Sequence, residues 1–221
     1  FPKTIEFLGK MFDYVNDLRS RKIYLDEKHN AILTKIIDAY TPTLTAVPKN
    51  MPAPFDKSRE IKPLVMLTMT TCKRLALFQK TVRSILNTWT DVGQIDAFFC
   101  VDDNSSDEDR AVMRSEFPFF EYHMKGPAER GHRESMNIIW EKLGQVKPTY
   151  WIHLEDDWMY FHRGPYVERG IKALETYRDQ KIHQVVFNRN YGVVYNDLER
   201  TGGFEQPDRI ILHELNPNLP G

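Results

Sequence analysis

From Leu64 onward, short apolar, β-rich runs alternate with amphipathic stretches of helical period. That alternation confines the chain to an α/β fold with a mostly parallel, twisted sheet flanked by helices. Leu64 to Thr70, Ile95 to Val101, Phe119 to His123 and Tyr150 to Leu154 read as strands, with Gln184 to Phe187 a fifth and Ile210 to Leu212 one more. Between them, Leu75 to Trp89, Glu108 to Glu116, Gly131 to Leu143 and Tyr166 to Arg178 read as helices. In the first of these, Leu75, Phe78, Val82, Ile85, Leu86 and Trp89 share one face.

Ahead of this region the pattern differs. Residues 1–40 carry two apolar stripes at three- and four-residue steps, one through Ile5, Leu8, Met11, Phe12, Val15 and Leu18, the other through Ile32, Leu33, Ile36, Ile37 and Tyr40. They read as a helical hairpin appended to the main domain, with a face suited to the domain itself or to a second copy in a homodimer. Residues 41–62 have no period. Pro42, Pro48, Pro52 and Pro54 make them a linker or extended strap, which leaves residues 63–221 as the main domain. The chain starts at Phe1 and stops abruptly at Asn218 to Gly221, so the reading expects a domain trimmed at both ends, the C-terminus included.

Charge narrows the classes of partner. The 221 residues carry 30 basic and 31 acidic side chains, a net charge of -1, so no basic surplus points to nucleic acid or to an anionic membrane surface. Cys72 and Cys100 are too few for a disulfide framework. No apolar run approaches the roughly 20 residues of a membrane helix, and no targeting segment is visible. Together these features place the expected location in the cytoplasm.

Three polar clusters follow predicted strands, at the sheet edge where open α/β folds bind ligands. The first, Thr68 to Arg74, offers small hydroxyl residues and then two cations, Lys73 and Arg74. It suits a nucleotide and its phosphates, or simply a capped strand-to-helix turn. The second, Asp102-Asp103-Asn104-Ser105-Ser106-Asp107, is either a turn of cap-forming residues or a pair of carboxylates that accept from a base imide or a ribose. The third, Glu155-Asp156-Asp157, places three carboxylates between large apolar neighbours, Trp151, Trp158, Tyr160 and Phe161. Like charges this close repel, and a hard divalent cation relieves the repulsion. Mg²⁺ or Mn²⁺ there would hold a diphosphate leaving group. The plain alternative is a solvated acidic loop.

In their order, these motifs resemble glycosyltransferase family 2 and related GT-A enzymes: a strand with a Thr-Thr turn, a helix with Ser84 to Leu86, a strand with Asp-Asp-Asn-Ser-Ser-Asp, then a strand with Glu-Asp-Asp. The interval from Asp103 to Asp157 fits that family's spacing between its two acidic motifs. The Glu-Asp-Asp form is also similar to the N-acetylglucosaminyltransferase I type. The resemblance covers Leu64 to Phe161. It implies a GT-A fold and metal-dependent transfer of a sugar, with inversion, from a nucleotide diphosphate donor to a hydroxyl of a glycan, lipid or protein. UDP is the commonest donor nucleotide in such enzymes. It also implies roles: Thr70 and Arg74 line the donor pocket, and Asp103 accepts from the base beside Asp102. Glu155 and Asp156 approach the ribose or sugar, and Asp157 is the main protein ligand of Mn²⁺ or Mg²⁺. Arg130 or Arg133 reaches the diphosphate or base.

The match has gaps. Asn104 stands where the family usually has glycine, a mild change because Asn tolerates left-handed backbone. The catalytic base should be a later carboxylate. Glu205, in Gly202-Gly203-Phe204-Glu205, and Glu214 are the candidates, unless the base lies past Gly221. Gly202-Gly203 itself reads as a flexible loop. His213 is a candidate late metal ligand, although an ordinary surface or core histidine is the simpler reading. His123, His132, His153, His162 and His183 show no ligand spacing. A Gln-x-x-Arg-Trp signature of processive synthases is absent. Two rivals stand: a sugar nucleotidyltransferase, which would normally carry a glycine-rich phosphate loop where Thr68 to Arg74 has no glycine, and a non-catalytic carbohydrate- or nucleotide-binding domain that keeps the fold.

Overall fold

The computed structural model describes residues 35, 38–39, 41–48, 51–53, 64–187, 200–205 and 211–215. Four parallel strands form the main sheet: β1 (Val65–Thr71), β2 (Ala97–Asp102), β3 (Phe120–Met124) and β4 (Tyr150–Glu155), in the spatial order β3-β2-β1-β4. Helices α1 (Leu75–Thr88), α2 (Asp107–Glu116), α3 (His132–Val146) and α4 (Tyr166–Thr176) connect and follow them. The four central strands and four helices match the sequence expectation to within a few residues at their ends. The predicted helical hairpin falls almost wholly outside the described residues.

Alternate residues of each strand sort into two cores. Val65, Leu67, Met69, Phe98 and Cys100 pack with Phe78, Val82 and Ile85 of α1, Met113 of α2 and Val167 of α4. On the opposite face, Met66, Ala97, Phe99 and Val101 meet Ile139 and Leu143 of α3. Helices therefore cover both faces, which is why β1 and β2 read as continuous apolar runs and are buried along their whole length. Phe78 anchors the first core, with its ring centroid 5.6 Å from Phe117 and 6.0 Å from Phe120.

Local chemistry sets the helix ends. Ser106 accepts from the Asp109 amide and caps α2, with Asp107, Glu108 and Asp109 in its first turn, where the helix dipole favours acids. Gly131 precedes α3 at φ 90, a conformation that favours glycine.

The chain departs from the sequence expectation in three places. Residues 182–187 form no strand; Phe187 instead meets the Tyr166 ring of α4 at 5.3 Å and lies against Gly170. Gly202-Gly203 is not a loop but part of strand β5 (Arg200–Glu205), which pairs antiparallel with β6 (Ile211–Leu215). The register shifts between Gly202 and Phe204, an irregularity that a strand glycine accommodates. Residues 41–44 are helical rather than extended. Leu44 is fully buried, and Asn87 of α1 donates to the carbonyls of Leu44 and Ala46 at 2.8 and 3.0 Å.

Candidate functional site

The crossover from β1 to β2 leads one way across the sheet, and the later return to β4 lies on the other side of β1. The topological switch point thus falls between β1 and β4, and its C-terminal edge is the crevice where ligands bind in open parallel sheets. All three polar clusters lie along this edge. Thr71 pairs with Asp102, Thr70 with Val101 on one side and Glu155 on the other, and the Asp103 amide donates to the Thr71 carbonyl at 2.8 Å.

The carboxylates at the switch point divide into inward and outward groups. Asp156 is fully buried. Thr71 Oγ1 donates to it at 2.6 Å and the Arg74 guanidinium pairs with it. Thr81 Oγ1 shares its proton between the carbonyls of Asp156 at 2.7 Å and Trp158 at 2.6 Å, tying this turn to α1. Ser84 Oγ accepts from the Tyr160 amide at 3.1 Å and extends the tie. Asp157, by contrast, has 43% of its side chain exposed, with Arg74 Nη1 at 3.4 Å. Glu155 is exposed beside it. Of the three acids, Glu155 and Asp157 face outward, whereas Asp156 supports the turn.

The β2 end repeats the division. Asp102 is fully buried; its Oδ2 accepts from Arg110 Nε at 2.7 Å and from the Ser105 amide at 3.2 Å, and its Oδ1 has no hydrogen-bond partner. Asp103 lies at the surface of the crevice. It accepts from Asn104 Nδ2 and the Gly131 amide, both at 2.9 Å, and pairs with Lys125 Nζ at 3.2 Å. Burial alone would raise its carboxyl, but those hydrogen bonds and the Lys125 charge outweigh it and hold the group below its ordinary value. Asn104 does adopt left-handed backbone, at φ 61. Beneath both turns, burial first and then the charges of Asp102 and Asp156 push the Cys100 thiol well above its usual range. Both cysteines are free.

The remaining sequence candidates are less engaged. Thr70 is buried at the edge of β1. Arg130 and Arg133 are exposed near the start of α3, Arg130 donating to the Pro127 carbonyl at 2.7 Å. Glu205 stands opposite Ile211 and His213 opposite Gly202 in the β5–β6 ladder. The side chains of both lie outside the described residues. Sequence reasoning missed Lys125, Arg110 and Thr81, and placed Thr71 in the first cluster without its bond to Asp156. A lone lysine closing the mostly uncharged strand β3 was the available signal for Lys125, because a strand-end charge in an α/β sheet points into the crevice.

His153 was set aside on spacing, yet it is built into β4. Its Nδ1 lies 3.0 Å from Thr68 Oγ1, which also accepts from Trp151 Nε1 at 2.7 Å. Burial, and then His132, push its pKa down to about 4, so the ring is neutral at pH 7. Because the unfolded chain protonates it near 6.5, stability is fully present above that pH and falls as the pH drops toward 4. We expect His153→Leu to flatten urea midpoints over this window, relative to a wild type that loses on the order of 1–2 kcal/mol across it after solvent screening. Equal slopes in the two proteins would remove His153 as the cause.

Among the described residues, no three His, Cys, Asp or Glu side chains gather to hold a metal ion. None of the described helices is long and apolar enough to cross a membrane. Neither protein-family models nor curated protein sequences gave a match to this chain.

Proposed function

We propose that this chain is the nucleotide-sugar-binding domain of a GT-A-type glycosyltransferase that moves a sugar, with inversion, from a nucleotide diphosphate donor to a hydroxyl acceptor. One observation carries the reading. Two acidic turns leave β2 and β4 on either side of β1, at the C-terminal edge of a parallel sheet and beside its switch point, and each sets accessible carboxylates, Asp103 on one and Glu155 and Asp157 on the other, beside a buried, cation-paired neighbour.

The division of labour follows. Asp103 accepts from the nucleobase, and Arg74, 44% exposed, lies where it can meet phosphate oxygens. A small hard cation usually keeps several waters and binds through one or two carboxylates plus substrate phosphates rather than a complete protein cage. Asp157 fits that mode, with Glu155 next to it, once the long Arg74 contact gives way. A Mn²⁺ or Mg²⁺ held there would neutralise the departing diphosphate. Arg74 and Asp156 then keep the turn in place while the donor binds.

Calorimetry of UDP, GDP and TDP, each with and without Mn²⁺, tests the reading. One nucleotide should bind with micromolar to millimolar affinity, and only when metal is present. Absence of binding under every condition would overturn it.

A further inference from the structure

One face of β4 carries a strip of rings to which the donor-site reading gives no role. Trp151 stands beside Met66 of β1, and His153 beside Thr68, on the sheet face that α3 covers over β1 and β2. Both side chains keep part of their surface in solvent. Trp140 of α3 joins them. Its ring centroid lies 5.0 Å from that of Trp151, which lies 5.7 Å from His153, with interplanar angles of 60° and 41°. Trp140 is 58% exposed, so packing within the chain leaves most of its indole uncovered.

Hydrogen bonds fix the strip and aim one donor out of it. Trp151 Nε1 can only donate, and it donates to Thr68 Oγ1 at 2.7 Å. The Thr68 proton then has two acceptors in range, His153 Nδ1 at 3.0 Å and the Ile152 carbonyl at 3.5 Å. The second lies beyond the usual O–H···O distance, so the proton goes to Nδ1. The neutral imidazole therefore carries its own proton on Nε2. No described residue accepts that proton, and Nε2 is not sealed from solvent. Because Thr68 holds both rings, they have little rotamer freedom left to lose when a ligand binds.

The chemistry of the strip selects its occupant. Asn137 and Glu141 flank Trp140 on α3 and are exposed, so the indole stands among polar groups and not in the broad apolar patch that a protein partner needs. Nucleic acid finds no basic surplus on the chain. A sugar ring matches both the rings and the donor. A pyranose with only equatorial substituents presents a flat face of C–H bonds, which the electron-rich face of an indole attracts. Its rim of hydroxyls accepts from Nε2–H. Glu155 follows on the same strand face, exposed at the crevice edge, and offers an acceptor to a further hydroxyl. We propose that Trp140, Trp151 and His153 form a binding site, beside the nucleotide crevice, for a neutral oligosaccharide of equatorially substituted pyranoses. The site stands on its own geometry; the donor-site reading adds only that the bound sugar is the acceptor.

The test is calorimetry with cellotriose, in EDTA and without nucleotide, on the wild type, Trp140→Ala and His153→Phe. Sorbitol, which has hydroxyls but no ring face, is the control. The wild type should bind cellotriose with a Kd of about 1 mM or below, and sorbitol not at all. Trp140→Ala should weaken binding about 10-fold. His153→Phe keeps a ring and loses the donor, and should weaken it roughly 3- to 10-fold. Thermal melting shows that each variant is folded. If His153→Phe does not fold, Trp140→Ala carries the test, because its side chain is mostly exposed. A wild type that shows no saturation about tenfold above the expected Kd, binds sorbitol equally, or binds cellotriose unchanged after Trp140→Ala would overturn the site. So would sedimentation showing a wild-type dimer that Trp140→Ala dissociates, which would assign the strip to self-association. Each of these results leaves the nucleotide titrations unaffected, and failure of those titrations leaves the sugar site standing.

Discussion

Arg110→Met should lower the stability of the fold by about 3–5 kcal/mol, seen as a lower urea midpoint at unchanged slope. Arg110 is the cation of a buried pair whose other member, Asp102, has no exposed side-chain surface. Asp102 Oδ1 already lacks a partner, and Oδ2 would keep only the Ser105 amide at 3.2 Å. An uncompensated carboxylate would then sit among Cys100, β1 and α2. Water cannot relieve it without opening the core. Removing both charges together, as in Asp102→Asn with Arg110→Met, should recover most of the loss, because satisfied or neutral pairs are far cheaper than broken ones. If Arg110→Met alone costs less than about 1 kcal/mol, Asp102 is not held as a buried anion.

The second large effect separates two neighbours. Asp157→Ala should leave stability within about 0.5 kcal/mol of wild type, because the side chain is 43% exposed and its contact with Arg74 spans 3.4 Å. In the proposed donor site, metal-dependent nucleotide binding should drop about 100-fold or more, since even the hydrogen-bonding partners of metal ligands are worth 10- to 100-fold. Asp156→Ala should behave differently. It strips Thr71 Oγ1 and Arg74 of their acceptor, so the fold should lose about 1–3 kcal/mol, with nucleotide affinity reduced only as far as the turn loosens. Calorimetry and urea titration on the same two variants decide the matter. If Asp156→Ala abolishes binding at unchanged stability while Asp157→Ala binds normally, the two roles are reversed.

Much of this molecule was legible in the order of its residues, for reasons that differ by region. The central α/β alternation was clear because the strands are rich in apolar and β-branched residues and each helix has one apolar face. The acidic turns stood out because carboxylates directly after an apolar strand are unusual. The periodicity did not reveal which carboxylate turns inward. Asp156 and Asp157 look alike in sequence, and what separates them is the Thr71 hydroxyl of β1, which donates to the Asp156 carboxylate, together with the burial of that side chain. The role of Lys125 was hidden for a related reason, although its place at the end of β3 was not: its partners come from β2 and α3 and depend on the sheet order. Gln184 to Phe187 misled because an apolar run of strand length can equally cover a helix, as Phe187 does against Tyr166.

The Thr81 and Ser84 hydroxyls fix the path of the turn after β4 through its backbone, from Asp156 to Tyr160. None of those bonds involves the side chains of Glu155, Asp157 or Trp158. Shape and reactivity are therefore written in different residues. Evolution can exchange the outward side chains, and with them the cation or ligand served, without redrawing the loop that displays them. Descendants of such a chain could drift in chemistry while keeping one architecture, and the hydroxyls of α1 would record their common origin after the carboxylates had gone.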